Sequence, residues 1–448
     1  MYRIIRRLSA ALPLLLVAAL ALAAGPSAAP AVVHKSSVDV HGGPDFGTPT
    51  VANLKRNTTV KVAGQQGLWF RIEMPNGTPG YVRVNDVRMQ YGGKTAEGSS
   101  MRALFTGKAG KGRVSETAGV RGIDESELKS AGFDAKQFAK FSAYRLSPQA
   151  AAAEASRQHW QSQQVTYAGE FKPGADRGDK KDATRAQKRG ALSTARGLLS
   201  AIGVGSSRGN SALDVADAAT RKSDAEQQEE ELALGPEIAG RILGAAPLWN
   251  DDAAQRRVNR IGRWAASQTS RADLPWTFGV VDSPEINAFA APGGYVLVTR
   301  GMYELLSSDD EVAAVLGHEI SHAVQRDHYN VIRKQETTSA LHRAASSNVP
   351  SGTSMAGNMA SQYVSRHGAT VMLTGLDRDV EYRSDEAAQV YLARAGFDPL
   401  ALYAVLQKMT ALGDASGNLA QLYRTHPTLD DRLNRLDRRG VATGGGRR

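Results

Sequence analysis

Residues 318–322 read His318-Glu319-Ile320-Ser321-His322, and this stretch is the strongest single indication of the fold. Upstream, Ser308 and Glu311 have the spacing of a capping box, and apolar residues then recur at helical intervals. On such a helix, side chains four residues apart lie one turn apart on the same face. The pattern therefore predicts a helix that presents two imidazoles to one metal ion.

Two neutral imidazoles suit a zinc ion, and a catalytic zinc site has three protein ligands and one open position. Bound zinc lowers the pKa of water to about 7. Glu319 would orient that water, take its proton during attack on a carbonyl and pass it to the leaving amine. The predicted reaction is peptide-bond hydrolysis with Zn²⁺ as cofactor. The pattern also arises by chance in proteins without metal, so a third ligand is needed.

A second acidic helix offers that ligand. Glu381 and Asp385 are four residues apart in the run 381–395, which contains no Gly or Pro. Glu381 is the predicted third ligand, and Asp385 would accept a hydrogen bond from the other ring nitrogen of a metal-bound histidine. A solvated acidic face is the alternative for two isolated carboxylates, since charged side chains are mostly exposed. The neighbouring histidine motif favours the metal interpretation.

Three further segments complete a recognisable pattern. Residues 287–301 read NAFAAPGGYVLVTRG, residues 396–399 read GFDP, and residues 425–427 read THP, with Arg432 shortly afterwards. Together with the histidine motif and the second acidic helix, they resemble the Ste-type and Oma-type zinc metallopeptidases, which are CAAX-protease-like gluzincins. The resemblance covers about residues 235–437.

This resemblance implies roles for the matching residues. It implies that His318, His322 and Glu381 are the zinc ligands and that Glu319 is the general base. His426 would stabilise the transition state as a donor to the developing oxyanion, or would pack near the C-terminal helix instead. Arg432 would orient a carboxylate or the substrate, with a surface position as the alternative.

The resemblance also implies a substrate-binding edge strand. Asn287, Ala288 and Phe289 would lie on a hairpin strand to which an extended peptide adds by main-chain hydrogen bonds. The chain departs from the commonest family pattern at Arg383 and Ser384, next to the predicted third ligand. Neither is a proposed ligand, so the departure concerns local packing and charge.

The N-terminus predicts export. Residues 1–24 contain three arginines and then an apolar stretch, as in a secretory signal peptide, with a retained anchor helix as the alternative. The protein is therefore expected in the periplasm. Cleavage would remove three positive charges, from +10 to +7. The chain has no cysteine, so it has no disulfide framework.

The remaining segments predict a modular α+β protein. Residues 32–90 resemble a bacterial Src-homology-3-type β-barrel, with a cell-wall peptide or an envelope protein as its ligand. Residues 91–234 are predicted to be a low-complexity linker with some helix, and residues 438–448 a flexible tail. Residues 235–437 would form a mainly helical zincin-type metallopeptidase domain with a small sheet.

The predicted function is a zinc-dependent endopeptidase that hydrolyses extracytoplasmic proteins or peptides, with a role in envelope protein quality control. No transmembrane segment is expected after signal removal, because no later run reaches 18 apolar residues. Nucleic-acid binding is not expected, because the basic doublets lack interleaved aromatic residues. The alternative is an envelope interaction or scaffold protein that uses a metallopeptidase fold with little hydrolysis.

Overall fold

The structure is a computed structural model of the chain. It describes residues 28–90, 104–105, 123, 125–172, 224–345, 363–364, 366–413 and 419–439. The signal peptide predicted over residues 1–24 and the part of the predicted tail beyond residue 439 lie outside these residues.

The N-terminal module is one antiparallel sheet with the strand order β3-β2-β6-β5-β4-β1-β7. Its strands are β1 (Ala29–Val33), β2 (Ser37–His41), β3 (Thr50–Lys55), β4 (Thr59–Gln66), β5 (Trp69–Glu73), β6 (Pro79–Arg83) and β7 (Val87–Met89). Successive side chains of a strand point to opposite faces. Val38 and Val40 of β2, and Val60 and Val62 of β4, therefore lie on one buried face. We call this module the N-terminal sheet.

A second, small sheet lies in the C-terminal half, with the order β8-β10-β9. Its strands are β8 (Thr277–Val281), β9 (Ala288–Ala291) and β10 (Tyr295–Thr299). β10 pairs in parallel with β8 and antiparallel with β9, so β9 is an edge strand within the described part of the chain. The turn between β9 and β10 contains Gly293 and Gly294 with φ values of 77° and 94°. Glycine adopts such values without strain.

Helices surround this small sheet, and the structure confirms the predicted α+β class. They are α1 (Glu125–Ser130), α2 (Ala135–Ala143), α3 (Pro148–Arg157), α4 (Asp224–Ala245), α5 (Asp252–Ala266), α6 (Arg300–Leu305), α7 (Asp309–Gln325), α8 (Asp327–Ala345), α9 (Arg378–Ala395), α10 (Ala401–Leu412), α11 (Ala420–Thr425) and α12 (Leu429–Arg439). A short 3₁₀ helix at Thr370–Leu373 precedes α9. Among the described residues, no helix combines the length and apolar character that a membrane span requires.

Helix α7 carries the histidine motif and begins as its sequence predicts. The Ser308 hydroxyl accepts a hydrogen bond from Glu311 N at 3.2 Å. The Glu311 carboxylate reaches back to Ser307 N at 2.7 Å, one residue before the N-cap. The helix ends at Gln325, and the residue that caps it, Arg326, has left-handed backbone angles (φ 62°). Helix α7 packs against α5, α9, α10 and β9, so it lies at the centre of the domain.

Helices α1 to α3 fall within the segment that was predicted as a linker with some helix. Phe141 of α2 is fully buried, and its ring lies 6.3 Å from that of Tyr295 in β10. Glu154 of α3 pairs with Arg260 of α5 at 3.0 Å. Helix α4 runs across the predicted boundary at residues 234 and 235. The described part of this segment thus packs onto the helices and the small sheet.

The contact between α4 and the β9–β10 turn generates a stability prediction. A Cβ atom at Gly235 would lie 2.1 Å from the backbone oxygen of Pro292. Gly235→Ala should therefore lower the free energy of unfolding by about 1–3 kcal/mol through overpacking, measured as a lower midpoint of urea unfolding. The matched control is Gly132→Ala, since a Cβ there would meet no atom within 4 Å. Equal midpoints for the two variants would contradict the close approach.

Candidate metal centre

Three predicted ligands meet at one point between α7 and α9. The two Nε2 atoms of His318 and His322 are 3.2 Å apart. Glu381 Oε2 lies 3.4 Å from His318 Nε2, and Glu381 Oε1 lies 3.9 Å from His322 Nε2. The helical spacing on α7 places the imidazoles on one face. Glu381, in the first turn of α9, faces them.

A fourth imidazole joins this group from the C-terminal part of the chain. His426 follows α11, and its Nε2 lies 3.4 Å from Glu381 Oε2. One donor atom from each of the four residues lies within 4.8 Å of the others. Thr425 Oγ1 is 2.8 Å from the other ring nitrogen, His426 Nδ1. His426, which was predicted to act in catalysis, is therefore close enough to join the ligand group.

A second layer of carboxylates holds the histidine rings. His318 Nδ1 lies 2.9 Å from Asp385 Oδ1, as predicted for Asp385. Arg432 Nε donates to Asp385 Oδ2 at 2.9 Å. His322 Nδ1 lies 3.0 Å from Asp327 Oδ2. Each proposed ligand histidine therefore has a carboxylate on the ring nitrogen opposite the centre, an arrangement that fixes tautomer and ring orientation.

Electrostatics agree with this layering. Burial raises the pKa of Asp385, but the Arg432 charge and the hydrogen bonds with His318 and Arg432 outweigh it and lower that pKa to about 2. Burial also raises the pKa of Glu381, and the nearby His426, His318 and His322 reverse the shift, so its pKa lies below the usual value. Both carboxylates are thus held in the charged form at neutral pH.

The donor set fits a tetrahedral metal ion such as zinc. Two atoms bound at 2.0–2.1 Å to a tetrahedral zinc are about 3.3 Å apart, and three of the four distances given above are 3.2–3.4 Å. Glu381 Oε2 is buried and has no hydrogen-bond partner among the described residues. A buried charged oxygen without a partner is costly. A cation between the imidazoles would satisfy it.

Glu319 lies beside this centre and is buried, with 6% of its surface exposed. Burial raises its pKa above the ordinary glutamate value, while the two motif histidines oppose the shift. A carboxylate with a raised pKa accepts a proton more readily, which is what a general base near neutral pH requires. Its position and its pKa therefore agree with the predicted role.

Glu319 borders a cleft of about 330 Å³ that runs past the metal centre. One wall is formed by Asn287, Ala288 and Phe289, the predicted substrate strand, of which Ala288 and Phe289 belong to β9 and Asn287 directly precedes it. The segment after the 3₁₀ helix, including Thr374, forms another part of the lining. The structure thus brings every predicted site residue to this cleft or to the metal ligands behind it. We call it the metal cleft.

Three residues around His322 were not predicted. Asp327 lies five residues beyond the motif, where the left-handed Arg326 ends α7 and turns the chain back toward the ring. Arg383 donates to Asp327, and Ser384 Oγ lies 3.2 Å from His322 Nδ1. The departures from the family pattern at Arg383 and Ser384 were the available signal, because both residues contact the Asp327–His322 pair.

Comparisons with known proteins agree with this geometry. Residues 252–440 match the model of Peptidase family M48. The chain is 27% identical over 206 residues to the beta-barrel assembly-enhancing protease of Escherichia coli (strain K12), covering 46% of this chain and 42% of that protein. It is also 27% identical over 180 residues to the mitochondrial metalloendopeptidase OMA1 of Schizosaccharomyces pombe, covering 40% of this chain and 51% of the relative.

The chain thus spans about half of the length of these relatives or less. A short match at 43% identity over 51 residues links it to the mitochondrial metalloendopeptidase OMA1 of Danio rerio, covering 11% of each chain. These findings support peptidase family M48 for residues 252–440, and they agree with the predicted enzyme class, a metalloendopeptidase.

The contact between Asp327 and His322 generates a prediction about metal affinity. Asp327→Asn should weaken zinc binding about 10- to 100-fold, the usual effect of removing such a partner, because the His322 ring loses its charged acceptor. Competition with a fluorescent zinc chelator measures the change. Asp379→Asn, an exposed carboxylate on α9, is the control and should leave the affinity unchanged. Equal affinities for both variants would exclude Asp327 from the site.

Proposed function

We propose that the chain is a zinc-dependent endopeptidase that hydrolyses peptide bonds of extracytoplasmic proteins. The observation that carries this proposal is the convergence of His318, His322 and Glu381 on one point beside Glu319. That point lies in a cleft bordered by an edge strand. A metal site that served only stability would need the ligands but would need neither the base nor the cleft.

In the proposed mechanism His318, His322 and Glu381 hold the zinc ion. A zinc ion held there would polarise a carbonyl and lower the pKa of water, which would make attack feasible at neutral pH. Asp385, fixed by Arg432, keeps the His318 ring oriented toward the metal, and Asp327 does the same for His322. Since these carboxylates bind Nδ1, the Nε2 atoms remain available as ligands.

Glu319 takes the proton from the attacking water and transfers it to the leaving amine. Its carboxylate lies in the same cleft as His426, and burial raises its pKa. Because catalytic zinc sites generally have three protein ligands, His426 would act in this mechanism as a donor to the developing oxyanion rather than as a ligand. Burial lowers the pKa of His426 to about 4, which leaves a neutral ring with one N–H to donate.

The substrate lies in this proposal as an extended strand along β9. An edge strand has one row of main-chain donors and acceptors that another strand can pair with. β9 pairs with β10 on one side, and Ala288 and Phe289 line the cleft. Because main-chain pairing ignores side chains, this arrangement selects extended or unfolded segments.

The biological setting is part of the proposal. The relatives include a protein named for enhancing beta-barrel assembly, and the predicted signal peptide indicates export. We propose a periplasmic protease that acts in envelope protein quality control. The division into a signal peptide, a bacterial Src-homology-3-type module over residues 32–90, a linker and a peptidase domain over residues 235–437 also remains a proposal. So does a cell-wall or envelope ligand for the module.

Replacing the proposed base separates hydrolysis from a scaffold role. Glu319→Gln should retain stoichiometric zinc, because Glu319 is not a ligand, and should lower the rate of casein cleavage about 10²- to 10⁴-fold. Metal content is measured by atomic absorption and cleavage by release of labelled peptides. Glu73→Gln, an exposed residue of the N-terminal sheet, is the control. Zinc without cleavage in the parent would favour the scaffold alternative.

The substrate class is tested with matched folded and unfolded envelope proteins. The mature enzyme should degrade an outer-membrane protein that has been unfolded in urea and then diluted into buffer. It should leave the same protein intact once that protein is folded in detergent. The reason is that β9 pairs only with an extended chain. Gel analysis over time measures the difference. Equal cleavage of both forms, or of neither, would contradict a quality-control role.

A further inference from the structure

We propose that the N-terminal sheet supports the substrate site. The sheet fixes helix α10, and a different face of that helix lines an apolar pocket for an aliphatic side chain of the substrate. This inference rests on the proposed endopeptidase function and names the side chain that the site prefers. It also gives the N-terminal sheet a role inside this molecule.

A second cleft of about 380 Å³ adjoins the metal cleft. The two clefts share Asn287, Ala288, Glu319 and His426, so a peptide along β9 passes both. The second cleft differs in its remaining walls, which are mostly apolar. Those walls include Met302, Val315, Leu402, Val405, Leu406 and Met409. We call it the apolar pocket.

The chemistry of the apolar pocket points to an uncharged side chain. Its charged or polar lining residues beyond the four shared ones are His318 and Arg432, which both contact Asp385 behind the metal centre. No polar residue of α10 lines it. Arg432 already pairs with Asp385, so a charged substrate side chain would lose its hydration in the apolar pocket without gaining a free partner there. A leucine-like side chain would instead gain apolar burial.

Helix α10 supplies most of that apolar wall through one face. Leu402, Val405, Leu406 and Met409 have the spacing i, i+3, i+4, i+7, which places them in one stripe on a helix. Residues 403 and 407 fall on a different face of the same helix. That second face contacts the N-terminal sheet.

Gln407 joins the second face of α10 to the sheet. Its side chain is fully buried, and its Oε1 accepts a hydrogen bond from Met89 N at 2.9 Å. Its Nε2 donates to Val84 O at 3.2 Å and also to Val87 O. One side chain therefore satisfies three main-chain groups at β7 and the turn before it. Shifting α10 would leave these buried groups without partners, which is costly.

Two further contacts fix the same helix. The guanidinium of Arg88 in β7 lies 4.8 Å from the centre of the Tyr403 ring, and Arg88 pairs with Asp437 of α12. Lys408 Nζ lies 2.6 Å from Glu311 Oε2, in a pair with no exposed surface. The other oxygen, Glu311 Oε1, accepts a hydrogen bond from Gln65 Nε2 of β4 at 2.7 Å. The sheet thus contacts both α10 and the first turn of α7.

The pocket is tested first by binding, without any need for turnover. The zinc-loaded Glu319→Gln protein is titrated calorimetrically with uncleaved peptides that differ at one position, with Ala, Leu, Phe or Asp. We expect the Leu peptide to bind more tightly than the Ala peptide and the Asp peptide to bind weakest. Equal affinities would overturn the pocket, even if the parent enzyme is shown to be a peptidase.

Two substitutions in α10 then test the wall of the apolar pocket, apart from its support by the N-terminal sheet. Leu406→Ala enlarges the pocket and should shift the Phe-to-Leu ratio of kcat/KM upward by about tenfold, the scale of hydrophobic-pocket discrimination. Val405→Thr places a hydroxyl group in the same wall without changing its volume and should weaken the Leu peptide selectively. Val405→Thr therefore keeps the test open if Leu406→Ala does not fold. An unchanged ratio in a folded variant would overturn the proposal.

The support of α10 by the N-terminal sheet is tested with Gln407→Leu, which removes the three hydrogen bonds of the Gln407 side chain. It should raise KM severalfold for the Leu peptide, with kcat, zinc content and the kinetics of the Ala peptide unchanged. Lys61→Gln, on the exposed face of β4, should match the parent throughout. An equal loss for both peptides, or no loss, would show that the sheet does not act through the pocket. A parent without any turnover would refute the endopeptidase function, whereas the binding series still decides on the pocket.

Discussion

The buried carboxylate of Glu381 is the constraint on which the centre of the molecule depends. It lies among three imidazoles, and one of its oxygens has no hydrogen-bond partner in the described parts of the chain. Burial alone would favour the neutral acid, yet the surrounding histidines keep its pKa low. A buried carboxylate of this kind is stable only if positive charge lies next to the oxygen that has no hydrogen-bond partner. The fold supplies imidazoles there, with a geometry that a metal ion would complete.

Behind the histidine rings, carboxylates and arginines follow one another, so the charges alternate in sign. Behind His318 stands Asp385, and behind Asp385 stands Arg432, which is buried. Behind His322 stands Asp327, which pairs with Arg383. Removing one member of such a chain leaves a buried charge uncompensated, which typically costs about 3–5 kcal/mol. The same chains that orient the ligands therefore also join α7 to α9 and α12, so the site and the fold depend on the same contacts.

Much of this centre could be predicted because it is local in sequence. The two imidazoles share a face through helical spacing, and the hairpin of β9 and β10 was implied by the family resemblance of its Pro-Gly-Gly segment. Asp327 could not be predicted in this way, because its approach to His322 depends on the left-handed backbone of Arg326 at the end of α7. The packing of α2 onto β10 could not be predicted from the sequence either. Its segment was predicted as a linker with some helix, and Phe141 becomes part of the core only because β10 packs against it.

The hardest feature to predict was the relation between the N-terminal sheet and the rest of the chain. A small β module followed by a low-complexity segment is typical of an independent, tethered unit. Instead, Gln65 donates a hydrogen bond to Glu311 at the start of the histidine helix. Gln407 forms hydrogen bonds with three main-chain groups at β7 and the turn before it. Glu311 and Gln407 are buried polar residues on helices, and each has a partner in the N-terminal part of the chain more than 200 residues away in the sequence. A buried polar side chain in such a helix indicates that a partner exists, but only the fold identifies it. Since the match to the family model begins at residue 252 and the sheet ends before residue 91, these contacts join the region that matches the family to a part of this chain outside it.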